Sequence, residues 1–213
     1  MDKKLIISNL SLMFEEKNKV LSNINFHIDD SEIGCILGPS GCGKTSLLRA
    51  IAGFESISSG SILKDGVCIT NSVENTPVAN RNMGMVFQDY ALFPNMDVKS
   101  NIAFGLKNST ELEKDNRVNY LLDLVNLVDC KNKYPHELSG GEQQRIALVR
   151  ALAPSPDIIL MDEPFSNIDQ DIKEELVSDV RLLLKELAIT SIIVTHDQNE
   201  AFNLADKVAI MNN

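Results

Sequence analysis

Eight residues near the amino terminus have the types and spacing of a loop that binds phosphate. They are, in order, Gly38, Pro39, Ser40, Gly41, Cys42, Gly43, Lys44 and Thr45, which fits the pattern G-x-x-x-x-G-K-S/T. The glycines allow backbone N–H groups to turn inward around an anion, and the helix predicted to follow adds the positive end of its dipole. Lys44 would supply a charge to the β- and γ-phosphates of a nucleoside triphosphate, and Thr45 a hydroxyl to magnesium. The motif alone predicts an NTPase and leaves its class open.

Two adjacent carboxylates, Asp162 and Glu163, follow an apolar run at residues 158–161. The run predicts a buried strand, and the end of a strand beside a phosphate loop is where a second magnesium contact belongs. We therefore assign Asp162 to magnesium, and Glu163 to the orientation and deprotonation of an attacking water. The alternative is a solvated acidic pair at a strand end. The apolar run before the pair and Pro164 after it favour the functional interpretation.

A second glycine-containing segment, residues 138–145, reads Leu-Ser-Gly-Gly-Glu-Gln-Gln-Arg. Ser139 and Glu142 fit an S-x-x-E capping box, and a well-capped helix with no other role is the alternative interpretation. The two glycines argue against it, since they weaken a first turn while letting a ligand approach the backbone. The segment resembles the signature motif of ATP-binding cassette proteins. The resemblance implies that Ser139, Gly141 and Glu142 contact an ATP molecule held by the opposite subunit of a dimer.

The resemblance to this family covers essentially the whole chain, with the motifs in the family's order. It implies that Gln88 touches magnesium and senses a membrane subunit, and that Asp169 lies in a loop that contacts the partner copy. His196, at the end of an apolar run, resembles the switch histidine that contacts the γ-phosphate, although a strand-end histidine is otherwise more often structural. Phe14 resembles the aromatic residue that stacks on adenine. A core aromatic on an N-terminal strand is its alternative.

Other segments indicate a branch of this family, and a few positions differ from the family pattern. Residues 87–94 and 134–137 resemble the matching segments of importers for ferric iron, polyamines and maltose-type sugars. Residues 151–154 and 162–166 are more similar to the ferric-iron importers. Glu142 replaces a usual glutamine, which keeps an acceptor for a ribose but adds negative charge near a triphosphate. Asn-Ile at residues 167–168 replaces the usual Ala-Leu. The chain stops at residue 213, so we expect the C-terminal regulatory domain of importer-type relatives to be absent.

The bulk composition is that of an ordinary globular protein, with 44% hydrophobic and 23% charged residues. The net charge of −10 is a poor one for a protein that binds nucleic acid. Apolar runs are too short to span a bilayer, and we expect no signal peptide. The 4 cysteines include no C-x-x-C pair, so neither a zinc site nor a disulfide framework is predicted. We expect the thiol of Cys42, inside the phosphate loop, to be within reach of reagents.

Apolar periodicity predicts the elements that must position these residues. Strands are predicted at 20–28, 33–37, 83–87, 158–161, 190–195 and 208–211, a hairpin at 60–69, and helices at 45–52, 111–128, 139–153 and 172–187. The fold class is α/β: a P-loop NTPase core with a mostly parallel sheet, an N-terminal antiparallel β subdomain and an inserted helical subdomain. We expect a single domain over residues 1–213. Residues 1–88 and 157–213 would form the core, and residues 89–156 the helical subdomain.

The motifs predict an ATPase that uses Mg²⁺, and the resemblance implies that it powers a membrane transporter, a solute importer of the ferric-iron or polyamine type. The expected partners are a second copy, transmembrane permease subunits and, indirectly, a solute-binding protein, but no nucleic acid. The expected location is the cytoplasmic face of the bacterial inner membrane. An exporter subunit and a soluble ATPase acting on nucleic acid are the alternatives. The latter class places a long coiled coil between the phosphate loop and the signature, where this chain has no sustained heptads.

Overall fold

The computed structural model of the chain describes residues 3–14, 18–107 and 109–212, except for the side chains of residues 14, 18 and 19. The strands are β1 (Lys3–Phe14), β2 (Asn18–Asp29), β3 (Ile33–Leu37), β4 (Ser59–Lys64), β5 (Val67–Asn71), β6 (Met83–Val86), β7 (Ile158–Asp162), β8 (Thr190–Thr195) and β9 (Lys207–Ile210). The helices are α1 (Lys44–Ala52), α2 (Val98–Ala103), α3 (Glu111–Leu124), α4 (Gly140–Leu152), α5 (Gln170–Glu186) and α6 (Gln198–Leu204).

The strands form two sheets of different kinds. One sheet has the order β2-β1-β4-β5 and is antiparallel at every pairing. The hairpin predicted at 60–69 is formed by β4 and β5, with its turn at Asp65 and Gly66. The other sheet has the order β6-β7-β8-β3-β9 and is parallel at every pairing. The predicted α/β fold, with a parallel core sheet and an antiparallel N-terminal sheet, is therefore confirmed.

The parallel sheet is covered on both faces, which explains why its strands are apolar throughout. In β7, Ile158 and Leu160 point into one core cluster, which joins α1 to the antiparallel sheet. Ile159 and Met161 point into the other, which contains α2, α3, α4 and α5. This division follows from the alternation of side chains along a strand. The helix α1 is thus held between the two sheets.

The functional segments follow the carboxyl ends of parallel strands. The phosphate loop (residues 38–45) follows β3, Gln88 follows β6, and His196 follows β8. Asp162 is the last residue of β7, and Glu163 comes directly after it. Since parallel neighbours end at the same edge of a sheet, the topology brings these residues to one place.

The elements between β6 and β7 are helical. The signature helix α4 packs on α2, α3 and β6, and α5 packs on α4. Ile172, in the first turn of α5, is 46% exposed and lies beside Gly141. In the part of the chain that the structure describes, no helix is long and apolar enough to cross a membrane.

Candidate nucleotide site

The phosphate loop turns sharply into α1 through glycines in the left-handed region. Gly41 has φ +83° and Gly43 has φ +98°, a conformation that favours glycine over other residues. A Cβ at Gly43 would also lie 2.7 Å from Leu21 Cδ2, so β2 leaves no room for a side chain there. The close approach of β2 and the positive φ together explain the glycine of the motif. They leave the amino end of α1 open toward the cleft.

Lys44, the first residue of α1, carries its ammonium in the phosphate loop. It is 4% exposed, and its Nζ donates to Gly38 O at 2.8 Å and to Pro39 O at 3.0 Å. Glu163 Oε1 lies 3.6 Å from the same Nζ. The two carbonyl oxygens are weaker partners for this ammonium than a phosphate would be, since hydrogen bonds to a charged acceptor are the stronger kind.

Thr45 and Asp162 form the pair expected at a magnesium ion. Thr45 Oγ1 donates to Asp162 Oδ1 at 2.9 Å across the ends of β7 and α1. Burial raises the pKa of Asp162, with a further contribution from the charge of Glu163. A divalent cation would offset that cost. Hydroxyl and carboxylate oxygens suit Mg²⁺, which proteins hold with one or two carboxylates plus phosphate oxygens, so the donor set fits this ion.

Glu163 and His196 meet opposite the phosphate loop. Glu163 Oε2 lies 3.0 Å from His196 Nδ1. Glu163 has φ +44°, unusual for a residue with a side chain, and its backbone N–H donates to Val194 O at 2.9 Å. Backbone strain of this kind is concentrated at functional sites. The strained turn sends the carboxylate of Glu163 toward the cleft, where it is positioned to contact a water.

A cleft of about 360 Å³ is lined by Lys44, Thr45 and Glu163, whereas Asp162 and His196 are linked to it through their contacts with Thr45 and Glu163. Its lining residues are Val20, Ser40, Gly41, Gly43, Lys44, Thr45, Ser46, Gln88 and Glu163. The volume lies in the range of small-molecule sites. Val20 and Ser46 were missed by sequence reasoning, although Ser46 directly follows the motif and could have been included with it.

The segment after Glu163 makes a contact that the sequence did not reveal. Asn167, one of the two departures from the family pattern at residues 167–168, donates from Nδ2 to Gln88 O at 3.0 Å. The bond joins the segment that leads into α5 to the residue that lines the far side of the cleft. Asp169, the predicted dimer contact, is exposed at the N-cap of α5 and makes no side-chain cap bond.

The signature residues lie outside this cleft. Ser139 is the N-cap of α4: its Oγ accepts from Glu142 N, and Glu142 Oε2 accepts from Ser139 N at 2.7 Å, which is the predicted capping box. The Ser139 backbone bond is the main reason that the pKa of Glu142 is lowered. Cys130 Sγ contacts the other carboxylate oxygen at 3.5 Å. Gly141 faces Ile172 of α5.

Two further predicted site residues, Cys42 and Phe14, do not have their side chains placed in the cleft by the described structure. The Cys42 side chain is 5% exposed and packs in the core cluster beneath the loop, so the expectation of a reachable thiol is wrong. Only the backbone of Cys42 is available to a phosphate. The side chain of Phe14 lies outside the described residues, and its adenine contact stays a prediction.

The sequence of the chain matches a family model and several known proteins. A family model described as ABC transporter matches residues 21–166. The chain is 46% identical to an Fe(3+) ions import ATP-binding protein of Rhizobium meliloti, over 89% of the chain and 48% of that protein. It is 46% identical to a spermidine/putrescine import ATP-binding protein of Thermotoga maritima, over 97% and 55%. It is 49% identical to a sulfate/thiosulfate import ATP-binding protein of Acinetobacter baylyi, over 90% and 55%.

Among solved structures, the chain is similar to cbiO1 of Clostridium perfringens, part of the ABC transporter complex cbiONQ. The TM-score is 0.88 at 30% identity, over 99% of this chain and 85% of that one. The chain spans about half the length of the curated relatives that it matches. The structural similarity extends over nearly all of this chain.

Proposed function

The chain belongs to the ABC transporter family, and we propose that it is the subunit that binds and hydrolyses ATP to power a membrane transporter. The observation that carries the proposal is that Lys44, Thr45 and Glu163 line one cleft, with Asp162 bonded to Thr45 beside it. These groups come from the amino end of α1 and the carboxyl end of β7, and they supply the cation, magnesium ligands and base that phosphoryl transfer to water requires.

ATP binding rests on the phosphate loop. Its backbone N–H groups and the amino end of α1 surround the phosphates, and Lys44 exchanges the loop carbonyls for phosphate oxygens. Thr45, Asp162 and Gln88 would hold Mg²⁺, which neutralises charge on the β- and γ-phosphates when bound. Phe14 is proposed to stack on adenine, with a worth of about 1–3 kcal/mol by analogy to base–aromatic contacts.

Hydrolysis rests on Glu163 and His196. Glu163 accepts a proton from the attacking water, whose oxygen bonds to the γ-phosphorus as the bond to the ADP oxygen breaks. His196, held 3.0 Å from Glu163, contacts the γ-phosphate and keeps the carboxylate oriented. Gln88, which also lines the cleft, would help to hold the Mg²⁺ and the water.

The site is proposed to be completed by a second copy. Ser139, Gly141 and Glu142 do not line the cleft of their own chain in the described structure. In a dimer the amino end of α4 would cover the ATP of the partner, with Asp169 at the contact between copies. ATP binding would then close the pair and hydrolysis would reopen it.

The proposed membrane role is that of an importer subunit, peripheral on the cytoplasmic face of a bacterial inner membrane. Transmembrane permease subunits would dock near Gln88, and a solute-binding protein would act through them. Residues 1–88 and 157–213 are proposed as the core and residues 89–156 as the helical subdomain. Relatives whose names specify iron, polyamines and sulfate are about equally similar to this chain. We take ferric iron and polyamines as the first solutes to test.

ATP binding and ATP hydrolysis by the purified chain test the proposal in two variants. Lys44→Ala is expected to lose ATP binding with the fold intact, because the carbonyls that the ammonium contacts belong to the phosphate loop itself, whereas a triphosphate depends on its charge. Glu163→Gln is expected to bind ATP and hydrolyse it about 10²–10⁴-fold more slowly, the usual effect of removing a base. Glu186→Gln, at the far end of α5, is the control and should hydrolyse at the parental rate. Unchanged ATP affinity in Lys44→Ala would contradict the proposed site.

A further inference from the structure

A cluster of charged residues lies behind His196 and does not line the nucleotide cleft. Lys173 of α5 contacts Asp197 Oδ2 at 3.0 Å and Glu200 Oε1 at 2.5 Å. The Lys173 side chain is 13% exposed and that of Glu200 only 5%. One ammonium thus offsets two carboxylates in a largely buried place, which makes each of them costly to leave unpaired.

The cluster holds the residues on both sides of His196. Asp197 is the N-cap of α6, where its Oδ1 accepts from the backbone of Asn199 at 2.8 Å. Glu200 accepts a bond from Thr195 Oγ1, and that oxygen accepts in turn from Asp197 N at 3.1 Å. The backbone at residues 195–197 is therefore tied to Lys173 directly through Asp197 and indirectly through Glu200.

His196 itself has little else to fix its direction. Its side chain is 52% exposed, and the hydrogen bond described for its imidazole is the one to Glu163. A half-exposed side chain with one such bond takes its direction mainly from the backbone that carries it. That backbone is the segment held by the Lys173 cluster.

The segment that leads into the helix of Lys173 contacts Gln88, another residue that lines the cleft. The segment immediately before α5 contains Asn167, whose side chain donates to Gln88 O. Contacts from α5 and from the segment before it therefore connect the residue after His196 and the backbone of Gln88 to the same part of the chain.

We propose that Lys173 is a positioning residue, which sets the imidazole of His196 against Glu163 by holding Asp197 and Glu200. This inference rests on the proposed function, since it concerns the hydrolytic step. Lys173 is not among the described residues that line the nucleotide cleft. It acts on the rate of hydrolysis through His196 and leaves the phosphate loop unaffected.

The test compares kcat with the Kd for Mg-ATP in the purified chain. Lys173→Met is expected to lower kcat roughly 10- to 100-fold, the size of effect that misplaced catalytic groups produce, with the Kd unchanged. Lys173→Arg, which keeps a cation between the two carboxylates, should restore most of the rate. Lys185→Met is the matched control: it removes an ammonium from the other end of α5, where Lys185 contacts Asp206, and should leave kcat unchanged. If Lys173→Met does not fold, Glu200→Gln replaces it as the test variant. This change keeps the side-chain shape and should cause the same loss of kcat.

A double-mutant cycle separates positioning from general stabilisation. In a His196→Ala background, adding Lys173→Met should cost no further rate, since the residue through which Lys173 acts is already gone. Equal losses in both backgrounds, a parental kcat in Lys173→Met, or a weakened Kd with kcat unchanged would each overturn the inference. A parental chain that does not hydrolyse ATP would instead overturn the proposed function, so the two failures are distinguishable.

Discussion

At the scale of single residues, Glu163 lies between two groups with different roles. One carboxylate oxygen faces the Lys44 ammonium at 3.6 Å and the other faces His196 Nδ1 at 3.0 Å. A triphosphate that takes the ammonium of Lys44 would remove the first contact, because phosphate oxygens bind it more strongly. ATP binding would thus free one oxygen of Glu163 for a water while His196 still holds the other.

The burial of Cys42 predicts a specific pattern of thiol modification. Cys68 is exposed, whereas Cys42 is buried with Cys35 and Cys130. We expect a bulky maleimide to modify Cys68 rapidly and Cys42 slowly, with little loss of ATP binding, since the Cys42 side chain packs away from the cleft. Mass spectrometry of labelled peptides measures both rates. Rapid inhibition that disappears in Cys42→Ser would show instead that the loop opens in solution.

The sequence allows a role to be assigned to a residue when that role depends on residues close to it in the chain. Lys44 and Thr45 could be assigned because the motif around them specifies both the turn and the ligand. Asn167 and Lys173 could not, because their partners are distant: Gln88 lies 79 residues from Asn167, and Asp197 lies 24 from Lys173. Polar contacts of this kind leave no periodic pattern in a single sequence.

At the scale of secondary-structure elements, the length of a helix decides whether it could be predicted from the sequence. The 14-residue α3 and 17-residue α5 were predicted from periodicity, whereas the 6-residue α2 and 7-residue α6 were not. A helix of fewer than two turns repeats its apolar face too few times to be recognised. The predicted helix at 111–128 ends early at Leu124, and Asn126 follows with φ +56°, a left-handed residue typical of helix ends.

Arg81 holds the carboxyl end of α1 and gives a prediction about stability. Its guanidinium, 1% exposed, donates to Ala50 O, Ile51 O and Thr76 O at 2.7–3.1 Å. The guanidinium also donates to the uncharged side chains of Thr70 and Asn75, and the negative end of the helix dipole faces this cation directly. Arg81→Met should lower the free energy of unfolding by about 3 kcal/mol or more, because buried carbonyls lose their donor.

Urea unfolding measures this loss, and Arg49 provides the matched control on the same helix. Arg49 is 47% exposed and pairs with Glu55 at 3.0 Å. Arg49→Met should cost no more than about 1 kcal/mol, as exposed ion pairs do. Equal losses in the two variants would show that the buried bonds of Arg81 are not what fixes α1.

At the scale of the whole molecule, the proposed site is divided between two copies. The cleft of one chain contains the phosphate loop and the base, whereas the capped end of α4 is elsewhere on the surface. A net charge of −10 opposes pairing at low salt, so a ligand that joins both halves is needed to hold them. Such a dimer should form only while the triphosphate is intact, because hydrolysis removes the group that both halves contact.

Glu163→Gln should therefore trap an ATP-dependent dimer. The variant keeps the shape of Glu163 and loses a negative charge near the triphosphate, so it should bind ATP at least as well as the parent and not release it by hydrolysis. Size-exclusion chromatography with Mg-ATP should show a dimer for Glu163→Gln, where the parental chain runs mainly as a monomer. Adding Ser139→Arg should abolish the dimer with ATP binding retained, since a bulky cation would keep α4 from the opposite phosphate. A Glu163→Gln chain that binds ATP and stays monomeric would contradict the shared site.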